Sequence, residues 1–193
     1  MRTDDTVSYD ADSIRTLRGL EAVRLRPSMY IGSTGQAGVL HLLFEVLQNA
    51  VDEAMAGFGT EIAVSISDDD TVTVRDAGRG IPVGAIELVL TTLHAGGKFG
   101  PEAGYGVTGG LHGVGVSCVN ALSESLVVEV HRNGVRADQR FRRGEALGPA
   151  QTSPDDAPDG TTVTWRPDPQ VFGDARLELA AVRERLRELA FLM

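Results

Sequence analysis

The sequence predicts an α+β fold, a two-layer sandwich in which helices pack against one sheet. Helical and strand patterns alternate unevenly along the 193 residues, and the strand patterns come in neighbouring pairs typical of antiparallel hairpins. A composition of 42% hydrophobic and 23% charged residues is ordinary for a globular domain with its own core. A doubly wound parallel sheet would need a more regular alternation, so we favour the sandwich.

The first part of the chain predicts a polar arm followed by two helices. Residues 1–13 form the arm, and residues 14–193 form one domain. Ser13 is suited to cap a short helix that ends before Arg26-Pro27, and the turn-rich string MYIGSTGQAG follows. Residues 39–57 then predict a long amphipathic helix.

The remaining elements follow in order. The strings EIAVSIS and TVTVRDA predict a hairpin, and residues 83–93 predict a short helix. A glycine-rich stretch leads into an apolar helix over residues 114–122. Three strands are predicted at SLVVEVHRN, VRADQRFRRG and TTVTWRP, with a polar surface loop before the last one. An amphipathic helix over residues 174–189 closes the chain.

Charge and cysteine content limit the partners. A net charge of −9 argues against holding a nucleic-acid backbone with this part of the protein, because phosphate binding depends on excess lysine and arginine. The single cysteine, Cys118, excludes an internal disulfide and suits a reducing cytoplasm. The sequence shows no signal peptide and no apolar run near the ~20 residues of a membrane span, so we expect a cytoplasmic protein without a membrane partner.

The long helix carries an unusual polar face. Glu45, Asn49 and Asp52 stand at i, i+4 and i+7, and the string VLHLLFEVLQNAVDEAMAG contains no lysine or arginine to balance them. A core helix with a solvated back is the plainer interpretation. The unbalanced acids instead indicate a face that holds something cationic.

The glycine-rich stretch is the second chemical feature. GYGVTG does not follow a strand, as a dinucleotide fingerprint must, and HAGGKF lacks the first glycine of a P-loop. GGLHGVGV opens directly into a helix, where glycines let a backbone approach a ligand and the free N–H groups favour a polyphosphate. Such a loop also suits a lid, although a plain surface loop is the alternative.

The string DAGRGIP is the third feature. Asp76 ends an apolar strand, so its carboxylate is expected at a pocket floor, where it needs a hydrogen-bond donor. An exocyclic amino group of a purine would supply one, which favours adenine over guanine. A turn carboxylate that bonds its own backbone is an equally good explanation of this string by itself.

Together these segments resemble the N, G1 and G2 boxes of the GHKL ATPases. GLEAVRLRPSMYIG, FEVLQNAVDEA, DAGRGIP, LHAGGKF, GGLHGVGVSCVNAL and RLRELAFL are similar to the ATPase domain of bacterial type IIA topoisomerases, the gyrase B or topoisomerase IV type. The similarity runs from about residue 9 to residue 192. It implies the Bergerat fold, in which helices cover one face of a mixed, mostly antiparallel sheet.

The resemblance implies a role for each matching residue. Glu45 would be the general base, Asn49 would bind Mg²⁺, and Asp76 would accept the adenine amino group, with Thr161 nearby through water. Tyr9 would reach the nucleotide of a second copy. The other implied ATP contacts are Glu53, Gly80, Ile81, Lys98, Tyr105, Gly110, Leu111, His112, Gly113, Val114, Gly115 and Val116. The implied inhibitor pocket adds Val46, Ala50, Val74, Arg79, Pro82, Asp138 and Val163.

Several positions depart from the family pattern. Ala77 replaces the second aspartate of Asp-Asp-Gly, Gln48 replaces the aspartate before Asn49, and a lysine that often follows the lid tyrosine is Gly106. The segment over residues 83–93 is short for the family. Asp138 stands where many relatives have the arginine that matters for aminocoumarins, so we expect weak binding of these inhibitors.

The resemblance also implies a function and partners. We expect an ATP-driven dimerisation gate that pairs with a second copy, and that acts with a DNA-cleaving subunit of the gyrase A type and with DNA through other parts. The isolated domain is expected to bind ATP and Mg²⁺ with little or no turnover, because the phosphate-sensing lysine comes from a following domain in this family. The alternatives are a topoisomerase IV domain, a chaperone or mismatch-repair gate, and a non-hydrolytic module. Glu45 argues against the last, whereas RPSMYIG and LHAGGKF favour a topoisomerase.

Overall fold

The computed structural model describes residues 19–93, 95 and 115–191. Its helices are α1 (Gly19–Leu25), α2 (Ser28–Ile31), α3 (Gln36–Met55), α4 (Ile86–Thr91), α5 (Gly115–Ala121), α6 (Pro169–Phe172) and α7 (Leu179–Ala190), and a 3₁₀ turn covers Val83–Ala85. Its strands are β1 (Ile62–Ile66), β2 (Val72–Asp76), β3 (Ser123–Arg132), β4 (Val135–Arg142), β5 (Glu145–Ala146), β6 (Gln151–Pro154) and β7 (Gly160–Pro167).

The described strands form one seven-stranded sheet. Its order is β1-β2-β7-β3-β4-β5, with β6 also paired to β4. Every pairing among these strands is antiparallel. The tight turn at Asn133 and Gly134, both with positive φ, joins β3 to β4, as expected for a two-residue hairpin. The predicted α+β fold with a mostly antiparallel sheet is thus confirmed.

One face of the sheet is the apolar floor of the core. Side chains alternate along each strand, so every second residue faces the helices. Val72, Trp165, Leu126 and Phe141 lie opposite one another across four strands, and each is at most 1% exposed. The helical layer contributes the buried residues of α3, which are Gly38, Val39, Leu42, Leu43, Val46, Leu47, Ala50, Val51 and Asp52.

Most predicted elements are present, with shifted bounds. The long helix begins and ends slightly earlier than predicted, and the predicted helix over residues 83–93 is a 3₁₀ turn followed by one short helix. The polar loop before β7 contains β6, and α6 precedes the last helix. Neither was predicted. All four residues of β6 are exposed, so no alternating pattern marks that strand in the sequence.

In the part of the chain that the structure describes, no helix is both long and apolar enough to cross a membrane. The predicted arm over residues 1–13 lies outside the described residues.

Candidate functional site

Helix α3 has one buried face and one face with polar side chains. Glu45 lies on the second face, and its Oε1 is 3.0 Å from Nε2 of His41, one turn earlier. The hydrogen bond to Glu45 raises the pKa of His41, with a smaller contribution from the charge of Glu45, against the opposing effect of burial. His41 was not predicted as a site residue. Its i,i+4 spacing from Glu45 is the signal that could have identified it.

The start of α5 approaches Glu45 very closely. A Cβ placed on Gly115 would lie 1.9 Å from Oε2 of Glu45, far below any real contact distance. A glycine is therefore required at this position for α5 to begin beside the carboxylate. The next residue, Val116, is half-buried. The structure thus brings together the predicted residues Glu45, Gly115 and Val116.

Asn49 follows Glu45 by one turn and is exposed. Its Nδ2 donates a hydrogen bond to the carbonyl oxygen of Glu45 at 3.1 Å. With the amide nitrogen directed at its own helix, the side-chain oxygen is the atom of Asn49 suited to ligate a cation.

Asp52, in contrast, does not belong to this face. It is only 1% exposed, and its Oδ1 accepts a hydrogen bond from Nε2 of Gln48 at 2.9 Å. The sequence placed Asp52 in one column with Glu45 and Asn49. In the structure Asp52 is buried and bonds Gln48, whereas Glu45 and Asn49 keep accessible side chains.

Asp76 occupies the end of the apolar sheet face. It follows Val72 and Val74 at two-residue steps, so the pleat directs all three side chains toward the helices. Its strand partner is Thr161, which is 9% exposed. Burial raises the pKa of Asp76, opposed by backbone hydrogen bonds from Gly78 and Thr161.

The carboxylate of Asp76 also bonds its own loop. Oδ1 accepts a hydrogen bond from the backbone N–H of Gly78 at 2.9 Å. The turn contact and the partly buried position thus occur together, because a carboxylate has two oxygens and accepts several donors. One hydrogen bond within the turn does not use up the accepting capacity of this group.

The loop after β2 is tied to α3 by Glu53. Oε2 of Glu53 accepts from the backbone N–H of Arg79 at 3.2 Å and from its Nε at 3.1 Å, and Oε1 accepts from Nη2 at 3.1 Å. The guanidinium carbon of Arg79 lies 3.9 Å from the ring centroid of Phe58. Glu53 and Arg79 were predicted as site residues, whereas Phe58 was not, and its sequence context offers no signal for this contact.

The same loop meets the end of β3 at Gly80. Gly80 has a φ of +71°, and a Cβ on it would lie 2.7 Å from the carbonyl oxygen of His131. Nη1 of Arg132 donates to the carbonyl oxygens of Arg79 at 3.1 Å and Gly80 at 2.5 Å. Arg132 was not predicted either, since its partners are more than fifty residues away.

The predicted apolar wall consists mostly of buried and half-buried side chains. Val74 on β2 pairs in register with Val163 on β7, and both are at most 5% exposed. Val46 and Ala50 lie on the buried face of α3. Ile81 and Pro82 continue the loop after Gly80, where Ile81 is half-buried and Pro82 is exposed.

Asp138 lies apart from this wall. Its neighbours Ala137 and Gln139 are buried, and Asp138 pairs in register with Glu129. Alternation therefore places Asp138 on the sheet face that points away from the helices, where Nη1 of Arg136 is 3.3 Å from its Oδ1. Its predicted effect on inhibitors stays a prediction.

Eight predicted site residues lie outside the described residues. They are Tyr9, Lys98, Tyr105, Gly110, Leu111, His112, Gly113 and Val114.

Comparisons with known proteins agree on one family. Residues 34–171 match the family described as histidine kinase-, DNA gyrase B- and HSP90-like ATPase. The chain is 52% identical to DNA gyrase B of Thermus thermophilus, over 97% of this chain and 31% of that protein. It is 49% identical to DNA gyrase B of Thermotoga maritima, over 96% of this chain and 30% of that protein. The chain therefore spans about a third of the length of these relatives.

A solved structure shows the same fold. The 43K ATPase domain of Thermus thermophilus gyrase B, in complex with an aminocoumarin, superposes with a TM-score of 0.79 at 46% identity. The match covers 91% of this chain and 46% of that chain.

Proposed function

Because the chain belongs to the family of histidine kinase-, DNA gyrase B- and HSP90-like ATPases, we propose that it is the ATP-binding and ATP-hydrolysing domain of a protein of the DNA gyrase B type. The supporting observation is the pair of contacts that α3 makes. Glu45 meets the start of α5, and Glu53 meets the loop after Asp76. Glu45 and Glu53 are eight residues apart, so their positions along the helix axis differ by about 12 Å. This separation is comparable to the reach of ATP from base to γ-phosphate.

The base end of the nucleotide would lie at Asp76. An ionised carboxylate at a partly buried strand end accepts the exocyclic amino group of adenine, whereas the carbonyl of guanine at that position would be repelled. Thr161 lies opposite Asp76 in the sheet and is nearly buried, which suits a contact to the base through water. Val46, Ala50, Val74 and Val163 supply apolar surface for the ring.

The residues present also suit Mg²⁺. Among the described residues, no group of three or more His, Cys, Asp or Glu side chains is arranged to hold a metal ion. A magnesium site here would combine the side-chain oxygen of Asn49 with phosphate oxygens and water, which is the donor set this ion prefers. When bound, Mg²⁺ neutralises phosphate charge.

Hydrolysis would depend on Glu45. Its carboxylate orients the attacking water and accepts its proton as the bond from the γ-phosphorus to the bridging oxygen breaks. His41 holds Oε1 of Glu45, which leaves Oε2 beside the start of α5. The glycine-rich segment that includes Gly110 to Val116 would hold the phosphates, as would Lys98 and Tyr105.

We extend the proposal to a longer protein of the same kind as the relatives. Binding of ATP would drive association of two copies, with Tyr9 reaching the nucleotide of the second copy. The assembled enzyme would act on DNA in the cytoplasm together with a DNA-cleaving subunit of the gyrase A type. The solved relative binds an aminocoumarin, and we propose that this pocket takes such inhibitors weakly because Asp138 replaces an arginine.

Substitution of Glu45 by Gln tests the catalytic part of the proposal. The variant keeps the size of the side chain and removes the proton acceptor. We expect unchanged affinity for ATP in calorimetric titration of this chain. We expect loss of hydrolysis in a chain extended to the length of its relatives. Turnover that survives this change would show that Glu45 is not the base.

A topoisomerase IV protein is the second candidate, since the same ATPase domain would serve both enzymes. The names of the relatives favour gyrase. Supercoiling of relaxed DNA by the extended protein with a partner of the gyrase A type would support gyrase, whereas decatenation without supercoiling would support topoisomerase IV. A non-hydrolytic module is the third candidate, and the Glu45→Gln comparison excludes it if wild-type turnover is measured.

A further inference from the structure

The loop after β2 is held by two charged side chains from different elements. The backbone N–H and the side chain of Arg79 donate to Glu53 on α3, whereas the carbonyl oxygens of Arg79 and Gly80 accept from Arg132 at the end of β3. A carboxylate thus binds the donors of the loop, and a guanidinium binds its acceptors. Each is matched in charge to the groups it meets.

The contact between this loop and the end of β3 also includes a close backbone approach at Gly80. Gly80 packs against β3 so closely that an added Cβ would lie 2.7 Å from the carbonyl oxygen of His131 and 2.9 Å from Cγ1 of Val130. The backbone of Gly80 therefore lies directly against the last residues of β3. Arg132 extends this contact by hydrogen bonds from one nitrogen atom to two successive carbonyls.

We propose that Arg132 is a positioning residue for the base-binding wall of the pocket, acting through the carbonyls of Arg79 and Gly80. The proposal rests on the proposed function, because it concerns the same nucleotide site. Ile81 and Pro82 follow Gly80 directly, so the position of this backbone sets where they stand relative to Asp76. Arg132 does not touch the nucleotide in this proposal.

The physical reason is the cost of the loop conformation. Gly80 has a positive φ, and the carbonyl oxygens of Arg79 and Gly80 converge on one nitrogen atom of Arg132. Two carbonyl oxygens that point at the same place are unfavourable unless a donor lies between them. A charged donor compensates the two dipoles, and such charge-assisted bonds are the stronger ones. Without it, the loop would sample conformations in which Ile81 leaves the plane of the base.

The test compares ligands that use different parts of the site. A fluorescent ATP analogue bound to the 193-residue chain is displaced by adenosine, by ADP with Mg²⁺, and by tripolyphosphate with Mg²⁺. The variants are Arg132→Met and Arg132→Lys. The control is Arg140→Met, because Arg140 is an exposed arginine on the adjacent strand β4.

We expect Arg132→Met to weaken adenosine and ADP about tenfold, the effect of one lost charged hydrogen bond, and to leave tripolyphosphate unchanged. Arg132→Lys should recover part of the loss, since an ammonium group still donates to a carbonyl. Free guanidinium ion at low millimolar concentration should restore adenosine binding to Arg132→Met. Arg140→Met should bind all three ligands as the wild type does.

Two results would overturn the inference. One is adenosine affinity that is unchanged in Arg132→Met. The other is an equal loss for adenosine and tripolyphosphate, without recovery in Arg132→Lys, which would show a general structural defect. If Arg132→Met does not fold, the affinities of Arg132→Lys for adenosine and for tripolyphosphate are compared instead. A loss confined to adenosine supports the inference, and an equal loss or no loss contradicts it. Failure of the wild-type chain to bind the ATP analogue would instead contradict the proposed function.

Discussion

At the scale of single residues, the two carboxylates of the site differ in their surroundings. Asp76 stands in the pleat next to buried valines, and burial raises its pKa. The side chain of Glu45 is 30% exposed and pairs with His41. A buried acceptor discriminates strongly between ligand groups, because an unmade hydrogen bond is costly there. An accessible carboxylate suits a reaction with water.

Asp76→Asn should weaken binding of ATP and ADP by about 1–3 kcal/mol, a factor of roughly 5 to 150. The amide keeps the shape of the side chain but presents an N–H group where the adenine amino group needs an acceptor. Calorimetric titration of wild type and variant measures the difference. Asp156→Asn, at an exposed aspartate in the loop before β7, is the matched control and should change nothing. Equal affinities for wild type and Asp76→Asn would contradict the role of Asp76.

At the scale of elements, the approach of α5 to α3 determines the surroundings of Glu45. No side chain fits between Gly115 and Glu45, so the two helices meet backbone against carboxylate. The other end is set by β3, whose last residues hold the loop after β2 and also the loop before β7. The site thus depends on the ends of elements that are far apart in the sequence.

Gly115→Ala should displace Glu45 or the start of α5, because the new methyl group would occupy the position of Oε2. Overpacking of this kind costs about 1–3 kcal/mol, and it would fall on the contact between Glu45, the proposed base, and the start of α5. We expect weaker ATP binding in this chain and slower hydrolysis in the extended chain. Gly84→Ala is the control, since a Cβ there meets nothing within 4 Å. An equal effect of both substitutions would refute the steric argument.

His131 ties the loop before β7 to β3 in a pH-dependent manner. Its Nδ1 bonds Asp155, its Nε2 is 3.1 Å from Oε1 of Glu129, and Arg136 also pairs with Glu129. The bond to Asp155 raises the pKa of His131 and lowers the pKa of Asp155. The bond to Arg136 is the main cause of the lowered pKa of Glu129, and the bond to His131 adds to it.

The sign of the pH effect follows from these directions. A raised histidine pKa gives stability that is fully present below the ordinary value of 6.5 and is lost as the pH rises through the folded-state pKa. The lowered carboxylate pKa values give stability that is lost as the pH falls through them. His131→Gln should therefore reduce the free energy of unfolding most at pH values above the lowered pKa values of Asp155 and Glu129 and below 6.5. The reduction should be least at alkaline pH.

Urea unfolding at several pH values measures this effect. Asp155→Asn should remove most of the same pH dependence, and the double variant should lose little more, because the two residues share one interaction. Additive losses in the double variant would show that the two side chains act independently.

At the scale of the whole molecule, the sheet and the helices share one core. Trp165 stands near its centre, is 1% exposed, and lies between Val72 and Leu126 in register. Its indole Nε1 has no hydrogen-bond partner among the described residues. The contribution of Trp165 is therefore packing, and stability should follow the volume that a substitution removes.

Trp165→Ala should lower the free energy of unfolding by about 3–5 kcal/mol, and Trp165→Phe should cost clearly less. The phenyl ring fills much of the space, and no buried hydrogen bond is lost with the indole nitrogen. Urea unfolding followed by circular dichroism is suitable, because the chain contains a single tryptophan and both variants lack it. An equal loss of unfolding free energy in Trp165→Ala and Trp165→Phe would indicate that the indole nitrogen has a role beyond packing.

Much of the fold was predictable because its signals are local. The period of 3.6 residues in α3 and the period of two in β2, β3 and β7 are visible in the sequence. Elements without a periodic signal were missed, as in β6, which is exposed on both sides, and in the short α2 and α6. Four-residue helices bury too few side chains to leave a pattern.

The sequence by itself determined the fold class and the family, and it nominated Glu45, Asn49 and Asp76 as site residues, because short motifs at fixed spacing carry these signals. Only the tertiary structure decided that Asp52 is buried, that Arg132 reaches the loop after β2, and that Asp138 faces away from the helices. Local spacing fixes the direction of a side chain within its own element. Its partners depend on how distant elements pack, and no local pattern records that.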